Sequence, residues 1–275
     1  MRLDVLLVER GLAESRAKAQ ALIMAGEVRV SGEVALKPSI SVDSAARIEV
    51  EQGPRFVSRG GEKLDAALAG FGIDVSGRVC ADVGVSTGGF TDCLLQRGAA
   101  KVYAIDVGKG IVHWKLRNDS RVVVMEETNA RFVETLPEPV SFVSVDASFI
   151  SLKILLPVIG RWLTGASAPQ TNDDPVGTRA ELVALIKPQF EAGRQDVSRG
   201  DGVIRDPFIH QQVLLGVLTF AATHGFGVRG LMRSPLVGPK GNAEFLAWMA
   251  PSQEPDKTAL GSLVDGVVYQ GSSAE

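Results

Sequence analysis

Cysteine is scarce in this chain: only Cys80 and Cys93 occur, flanking a glycine-rich stretch with no metal-ligand spacing. Two thiols in 275 residues exclude a disulfide scaffold and point to reduced, packed side chains of a cytoplasmic protein. Histidine is scarce too. His113, His210 and His224 are scattered, which favours surface or core roles over a metal site, and no metal is expected. No apolar run approaches the roughly 20 residues of a membrane-spanning helix, so no membrane partner is expected. The opening Met-Arg-Leu-Asp lacks the apolar core of a secretion signal. An excess of positive charge is also missing. The net charge is −3, and Glu254, Asp256, Asp265 and Glu275 against Lys257 account for all of it. Any nucleic-acid site must therefore arise from local clustering of cations.

Apolar residues are not lacking: they make up 45% of the chain, enough for a sizeable core. The stretch that organises the rest is Arg78 to Asp92, where a short apolar run ends in Asp82. Gly84, Ser86, Thr87, Gly88 and Gly89 follow, and Phe90 then opens a helical pattern. Strand, glycine turn and helix start bring free backbone N–H groups close to a ligand. Alone, the pattern also suits any tight α/β turn.

Residues 1–50 form a compact module. Leu3, Leu6 and Leu7 suggest a short helix stopped at Gly11. Ser15 caps a second helix, with Ala17, Ala21, Leu22 and Met24 expected on its buried face and Gly26 past its end. Val28–Val30 and Glu33–Leu36 read as a hairpin, and Arg47–Val50 as a closing strand. Its seven basic and seven acidic residues leave open whether Arg16 and Lys18 contact phosphates or line a solvated face. Residues 51–62 read as a linker, and Lys63 opens a helix with Leu64, Ala67 and Leu68.

From there strands and helices alternate. Strands are expected at Val79–Val83, Lys101–Asp106, Val122–Met125, Val140–Val145, Leu182–Ile186, Val228–Met232 and Glu244–Met249. Helices are expected at Phe90–Gln96, Ile150–Leu163 and from Asp206-Pro207 to about Thr223. The fold class is α/β: a doubly wound, mostly parallel, seven-stranded sheet with helices on both faces, behind a small α+β N-terminal domain. The 164–180 stretch reads as a surface loop, 189–205 with its arginines as an active-site lid, and 251–275 as a disordered acidic tail.

In such a sheet, ligands bind at the carboxyl ends of the strands. Those ends carry the glycine loop, Asp106, Thr128-Asn129, Asp146 and Lys187. Asp106 is placed to accept the ribose hydroxyls of an adenosine cofactor, NAD or S-adenosylmethionine alike. The loop is not Gly-x-Gly-x-x-Gly, so the dinucleotide fingerprint is missing. Lys187, ending an apolar strand, is a costly place for an idle charge. A lysine base must lose its proton against an ordinary pKa of about 10.4, and burial or a second cation favours that. Lys63 is the candidate second cation, with Asp146 and Glu244 to hold the ammonium groups.

Two resemblances sharpen this reading. Arg2-Leu-Asp-x-x-Leu-Val-x-Arg-Gly-Leu-Ala-x-Ser-Arg, followed by Ile23-x-x-Gly-x-Val-x-Val-x-Gly, resembles the RNA-binding module of ribosomal protein S-four. That resemblance implies RNA contacts at Arg16, Lys18 and Lys37, and at Arg2. Ser58-Arg-Gly-Gly-Glu-Lys-Leu, Asp82-Val-Gly-Val-Ser-Thr-Gly-Gly-Phe, Thr128-Asn-Ala-Arg, Asp146-Ala-Ser-Phe-Ile-Ser-Leu, Lys187-Pro-Gln-Phe-Glu-Ala-Gly and Gly238-Pro-Lys-Gly-Asn-Ala-Glu-Phe closely resemble the TlyA family. These are haemolysin-type rRNA 2′-O-ribose methyltransferases, relatives of the FtsJ group. The resemblance spans about residues 2–250 and implies a class I methyltransferase domain over 63–250. It also implies S-adenosylmethionine as cofactor, ribosomal RNA or ribosomal subunits as partner, and a cytidine as target. Its Lys-Asp-Lys-Glu tetrad falls on Lys63, Asp146, Lys187 and Glu244. Its cofactor site falls on Asp82, Gly84, Ser86, Thr87, Gly88, Gly89 and Phe90, with Asp106, Thr128 and Asn129. Arg59, Arg194 and Arg199 are further candidate RNA-facing cations. Val85 stands where the family usually has alanine and is expected to crowd the cofactor slightly. The competing readings are an RNA-binding assembly factor without turnover, a pore-forming haemolysin and a nicotinamide dehydrogenase. The oligomeric state is left open.

Overall fold

The computed structural model describes residues 1–51, 53–164, 180–193, 202–252 and 259–269. The chain divides into two compact units, Met1–Arg55 and Phe56–Glu275. Arg194 and Arg199, of the expected lid, and most of the 164–180 stretch lie outside the described residues.

In the first unit, helices α1 (Leu3–Glu9) and α2 (Arg16–Met24) pack beside a three-stranded antiparallel sheet. Its strands are β1 (Val28–Val30), β2 (Glu33–Val34) and β3 (Ile48–Val50), in the order β2-β1-β3. The Ser15 hydroxyl accepts the Lys18 N–H, so the expected cap is present. The buried face of α2 differs from expectation. Ala19 and Ile23 enter the core with Leu3, Leu7 and Val28, whereas Ala17, Ala21 and Met24 are exposed. Alanine is small enough to sit on either face, so the alanine spacing carries little orientation; the branched Ile23 sets it.

The second unit begins with α3 (Gly60–Phe71), which starts three residues earlier than Lys63 and inside the expected linker. Gly60-Gly61 is a close-approach site rather than a turn: a Cβ on Gly61 would meet the Phe56 ring at 2.2 Å. There follow β4 (Val79–Val83), α4 (Gly89–Gln96), β5 (Lys101–Ile105), α5 (Trp114–Arg117), β6 (Val122–Met125) and β7 (Phe142–Val145). Then come α6 (Leu152–Thr164), β8 (Glu181–Ile186), α7 (Pro188–Glu191), α8 (Pro207–Thr223), β9 (Phe226–Arg233), β10 (Phe245–Pro251) and α9 (Leu260–Tyr269). The seven strands lie in the order β6-β5-β4-β7-β8-β10-β9. Pairings among β4, β5, β6, β7 and β8 are parallel, and β10 runs antiparallel to both neighbours.

Alternation along the strands sorts side chains onto two faces. Leu182, Ala184 and Ile186 join the layer under α6, α8 and α9, while Val183 and Leu185 join the layer under α3 and α4. Helix α9 corrects the expectation of a disordered tail: Val264 and Val268 are buried in the first layer, and Asp265 accepts a bond from Gln211. Burying each valine contributes about 1.5–3 kcal/mol toward docking this helix on the core.

Register decides what meets at the carboxyl ends. Val83 pairs with Ile105 on one side and Val145 on the other, so Gly84, Asp106 and Asp146 emerge side by side. Phe245 pairs with Ile186 in antiparallel register, so Glu244, just before β10, lies beside Lys187, just after β8.

Candidate active site

The loop from Gly84 to Gly88 turns at the point where strand order reverses. Gly84 has φ +84°, and a Cβ there would lie 2.7 Å from the Asp146 carbonyl oxygen; only glycine lets the loop cross the neighbouring strand end so closely. Ser86 holds a positive φ without being glycine, and its N–H donates to Asp106 Oδ2 at 2.7 Å. The Gly108 N–H donates to Asp106 Oδ1, also at 2.7 Å. Asp106 thus fixes the loop and its own turn, and each oxygen keeps a lone pair for a further donor. Val85 is buried in the core layer beneath the loop, although it borders the cavity.

Asp82 is not a ligand-facing group. It is fully buried inside β4, where its carboxylate accepts bonds from Thr91 Oγ1 at 2.7 Å and Ser144 Oγ at 3.0 Å. Burial pushes its pKa up to about 7, against the opposing effect of those two bonds. It braces β4, α4 and β7 beneath the loop. Gly88 likewise acts through its backbone: it has φ +105°, and Leu116 packs where a Cβ would be. Thr128 donates its N–H to the Asp106 carbonyl, and Asn129 caps the short turn 130–132. Neither borders the cavity.

That cavity, about 780 Å³, is where the charged residues converge. Lys63, Asp146, Lys187 and Glu244 all line it, with Gly84, Ser86, Thr87, Gly89, Phe90 and Arg59. The four charged groups form two pairs. Lys63 Nζ donates to Glu244 Oε2 at 2.5 Å, with side-chain exposures of 11% and 0%. Lys187 Nζ lies 2.6 Å from Asp146 Oδ1 and donates to Ser148 Oγ at 2.9 Å. The Lys187–Asp146 contact is an ion pair by distance without hydrogen-bond alignment, because the same Asp146 oxygen has no hydrogen-bond partner. Glu244 Oε1 and Gln189 Oε1 are also buried and unpartnered. Orphaned acceptors of this kind in one cavity call for an explanation, and a ligand that brings donors supplies one.

Several residues at this cavity escape sequence reasoning. Phe149 is 90% exposed, holds a φ of +63°, and packs its ring 4.9 Å from that of Phe190. A bulky residue in the left-handed region is strained. A Phe following Asp-Ala-Ser looks like an ordinary core residue, and only backbone geometry reveals it. Ser148, Gln189 and Lys240 stand inside the quoted motifs without an expected role, and all three border the cavity. In the first unit, Arg2, Arg16, Lys18 and Lys37 are exposed.

Comparisons with known proteins give the family. Residues 1–48 match the S4 domain and residues 56–250 match the FtsJ-like methyltransferase family. The chain is 46% identical over 263 residues to the "Putative rRNA methyltransferase YqxC" of Bacillus subtilis, covering 92% of this chain and 88% of the relative. It is 45% identical over 264 residues to the "16S/23S rRNA (cytidine-2'-O)-methyltransferase TlyA" of Mycobacterium tuberculosis, covering 94% and 93%. A solved structure titled "Putative hemolysin from Streptococcus thermophilus" superposes with a TM-score of 0.71 at 41% identity, covering 99% of this chain and 95% of that one. Among the described residues, no helix is long and apolar enough to cross a membrane. With an S4 domain at its N-terminus, an FtsJ-like domain behind it and relatives matched over almost their full length, the chain belongs to the TlyA family of FtsJ-like methyltransferases.

Proposed function

We propose that this protein methylates the 2′-hydroxyl of a cytidine in ribosomal RNA, using S-adenosylmethionine. The observation that carries the proposal is the pair of lysine–carboxylate couples in one cavity, beside a glycine loop at the strand ends. The relatives' activity gives the substrate class. The residues fit the cofactor: a loop of small residues borders the cavity, and Asp106, which is bonded to that loop without lining the cavity, has acceptor capacity to spare. Gly84, Ser86, Thr87, Gly89 and Phe90 would hold it, with Asp106 at its sugar. When bound, S-adenosylmethionine supplies an electrophilic methyl group carried on a sulfonium.

The protein's own groups handle the hydroxyl proton. Lys187, in its neutral form, accepts it at Nζ and releases it to solvent. Asp146 and Ser148 hold that nitrogen in place. Glu244 anchors Lys63 through one oxygen, and its free Oε1 is available to a ribose hydroxyl. Phe149 and Phe190 present an aromatic face on which a base taken out of its stack can rest. The S4 domain grips RNA phosphates in the cytoplasm, where ribosomes are built.

The test uses purified 30S and 50S subunits lacking the modification and a tritiated methyl donor. Lys187→Ala should lower the rate by about 10²- to 10⁴-fold, the usual contribution of a positioned base. A rate near that of the wild type would remove Lys187 from the role.

A further inference from the structure

Arg2 and Arg16 look like two separate cations in the sequence. The structure joins them through Asp4. This aspartate, in the first turn of α1, has no exposed surface. Its Oδ1 accepts Arg2 Nε at 3.0 Å. Its Oδ2 accepts Arg2 Nη2 at 3.0 Å, Arg16 Nε at 2.9 Å and Gln20 Nε2 at 2.9 Å. Arg16 and Gln20 are one helical turn apart on α2, so the same face of that helix supplies both donors. Three of these donors converge on Oδ2 and one on Oδ1, and with no exposed surface Asp4 is closed to a ligand of its own.

The arginines are in the opposite position. Their side chains remain 46% and 56% exposed. Arg16 spends only Nε on Asp4, so both of its Nη groups are left over, and Arg2 keeps Nη1. Two guanidinium charges against one carboxylate leave one positive charge over. The hydrogen bond from Arg2 is the chief reason Asp4 titrates well below the usual carboxylate range, so it stays ionised throughout physiological pH.

We infer that Asp4 is a positioning residue for RNA, a buried anion that presets Arg2 and Arg16 as a single fork for a phosphodiester. The inference rests on the reading that this unit meets ribosomal RNA. Its physical basis is preorganisation: two flexible side chains are already ordered before the phosphate arrives, so less rotamer freedom is lost on binding. It carries an unusual sign. If Asp4 were only a negative charge near an anionic ligand, removing that charge would tighten binding. If it positions the fork, removal weakens binding.

The experiment compares the full-length wild type with Asp4→Asn, Arg16→Ala and Arg16→Lys, by filter binding to in vitro transcribed 23S rRNA over a range of salt. Asp4→Asn should bind about tenfold more weakly, the scale of one charge-assisted contact. Its plot of log affinity against log salt should be shallower by about 0.7–0.9, the value of one phosphate contact. Methylation at saturating RNA should keep its kcat while KM rises. Arg16→Lys keeps the charge but not the fork, and should fall close to Arg16→Ala. Asp4→Asn binding as tightly as wild type or more so, while Arg16→Ala weakens, would overturn the positioning role and leave the RNA reading standing. Wild-type binding by both variants would overturn the RNA reading and the fork together. If melting shows that Asp4→Asn unfolds its unit, Arg16→Lys decides: retained affinity refutes the fork, and loss supports it.

Discussion

Asp82 offers the sharpest quantitative check, because its surroundings make stability depend on pH in a direction opposite to most carboxylates. Its ordinary pKa of 3.8 rises to about 7 in the fold, chiefly through burial. Across the interval between those values the folded state holds a proton that the unfolded chain has released. The stability contributed by Asp82 is therefore fully present below about pH 4 and is lost as pH rises through about 7. A rise of that size corresponds to about 4 kcal/mol, an order-of-magnitude ceiling. Other carboxylates act the other way: Glu126, held down to about 2 first by its bond from Arg117, loses its contribution only in acid. Subtraction removes them. Asp82→Asn keeps the shape and cannot ionise, so stability of the variant minus that of the wild type isolates the contribution of Asp82. Urea unfolding followed by tryptophan fluorescence reports on the second unit alone, since Trp114, Trp162 and Trp248 all lie in it. The difference should climb by about 2–4 kcal/mol between about pH 4.5 and pH 8 and then level off. A flat difference across that range would refute the claim that Asp82 is a desolvated brace.

Glu244→Gln should destabilise the second unit by about 3–5 kcal/mol, because it leaves the nearly buried Lys63 ammonium without its counter-charge; denaturant midpoints at neutral pH measure this. Phe149→Gly should separate stability from activity. Relief of the left-handed backbone should hold or raise the melting temperature, worth about 1 kcal/mol, while kcat/KM on subunits falls at least about tenfold through lost base stacking. A drop in both would mean that Phe149 is a packing residue.

The order of strands and helices is legible because each strand of the sheet is a short apolar run bounded by turn residues. The capped helix starts at Ser15 and Asp206 are equally plain, and both side chains accept the expected backbone N–H. Helix α9 is hidden because the tail's net charge masks the Val264 and Val268 spacing, a local signal that matters only with a core to pack on. The face of α2 misleads for the related reason that alanines carry little orientation. Asp82 enters the expected cofactor site only through the family resemblance; its hydrogen bonds with Thr91 and Ser144 reach another helix and another strand, which no local pattern records.

The alternation of strands and helices, the glycine turn and the ionisable residues at strand ends are all written in the order of the residues. These follow from short-range rules: side-chain period, capping and the freedom of glycine. Which charges pair depends on the assembled sheet. Insertion of β10 between β8 and β9 brings Glu244 next to Lys187 in the sheet, yet Glu244 bonds Lys63 from α3, and Lys187 turns to Asp146. Lys63 and Glu244 are 181 positions apart, and a contact at that separation is set by strand order and register, which depend on the packing of the whole sheet.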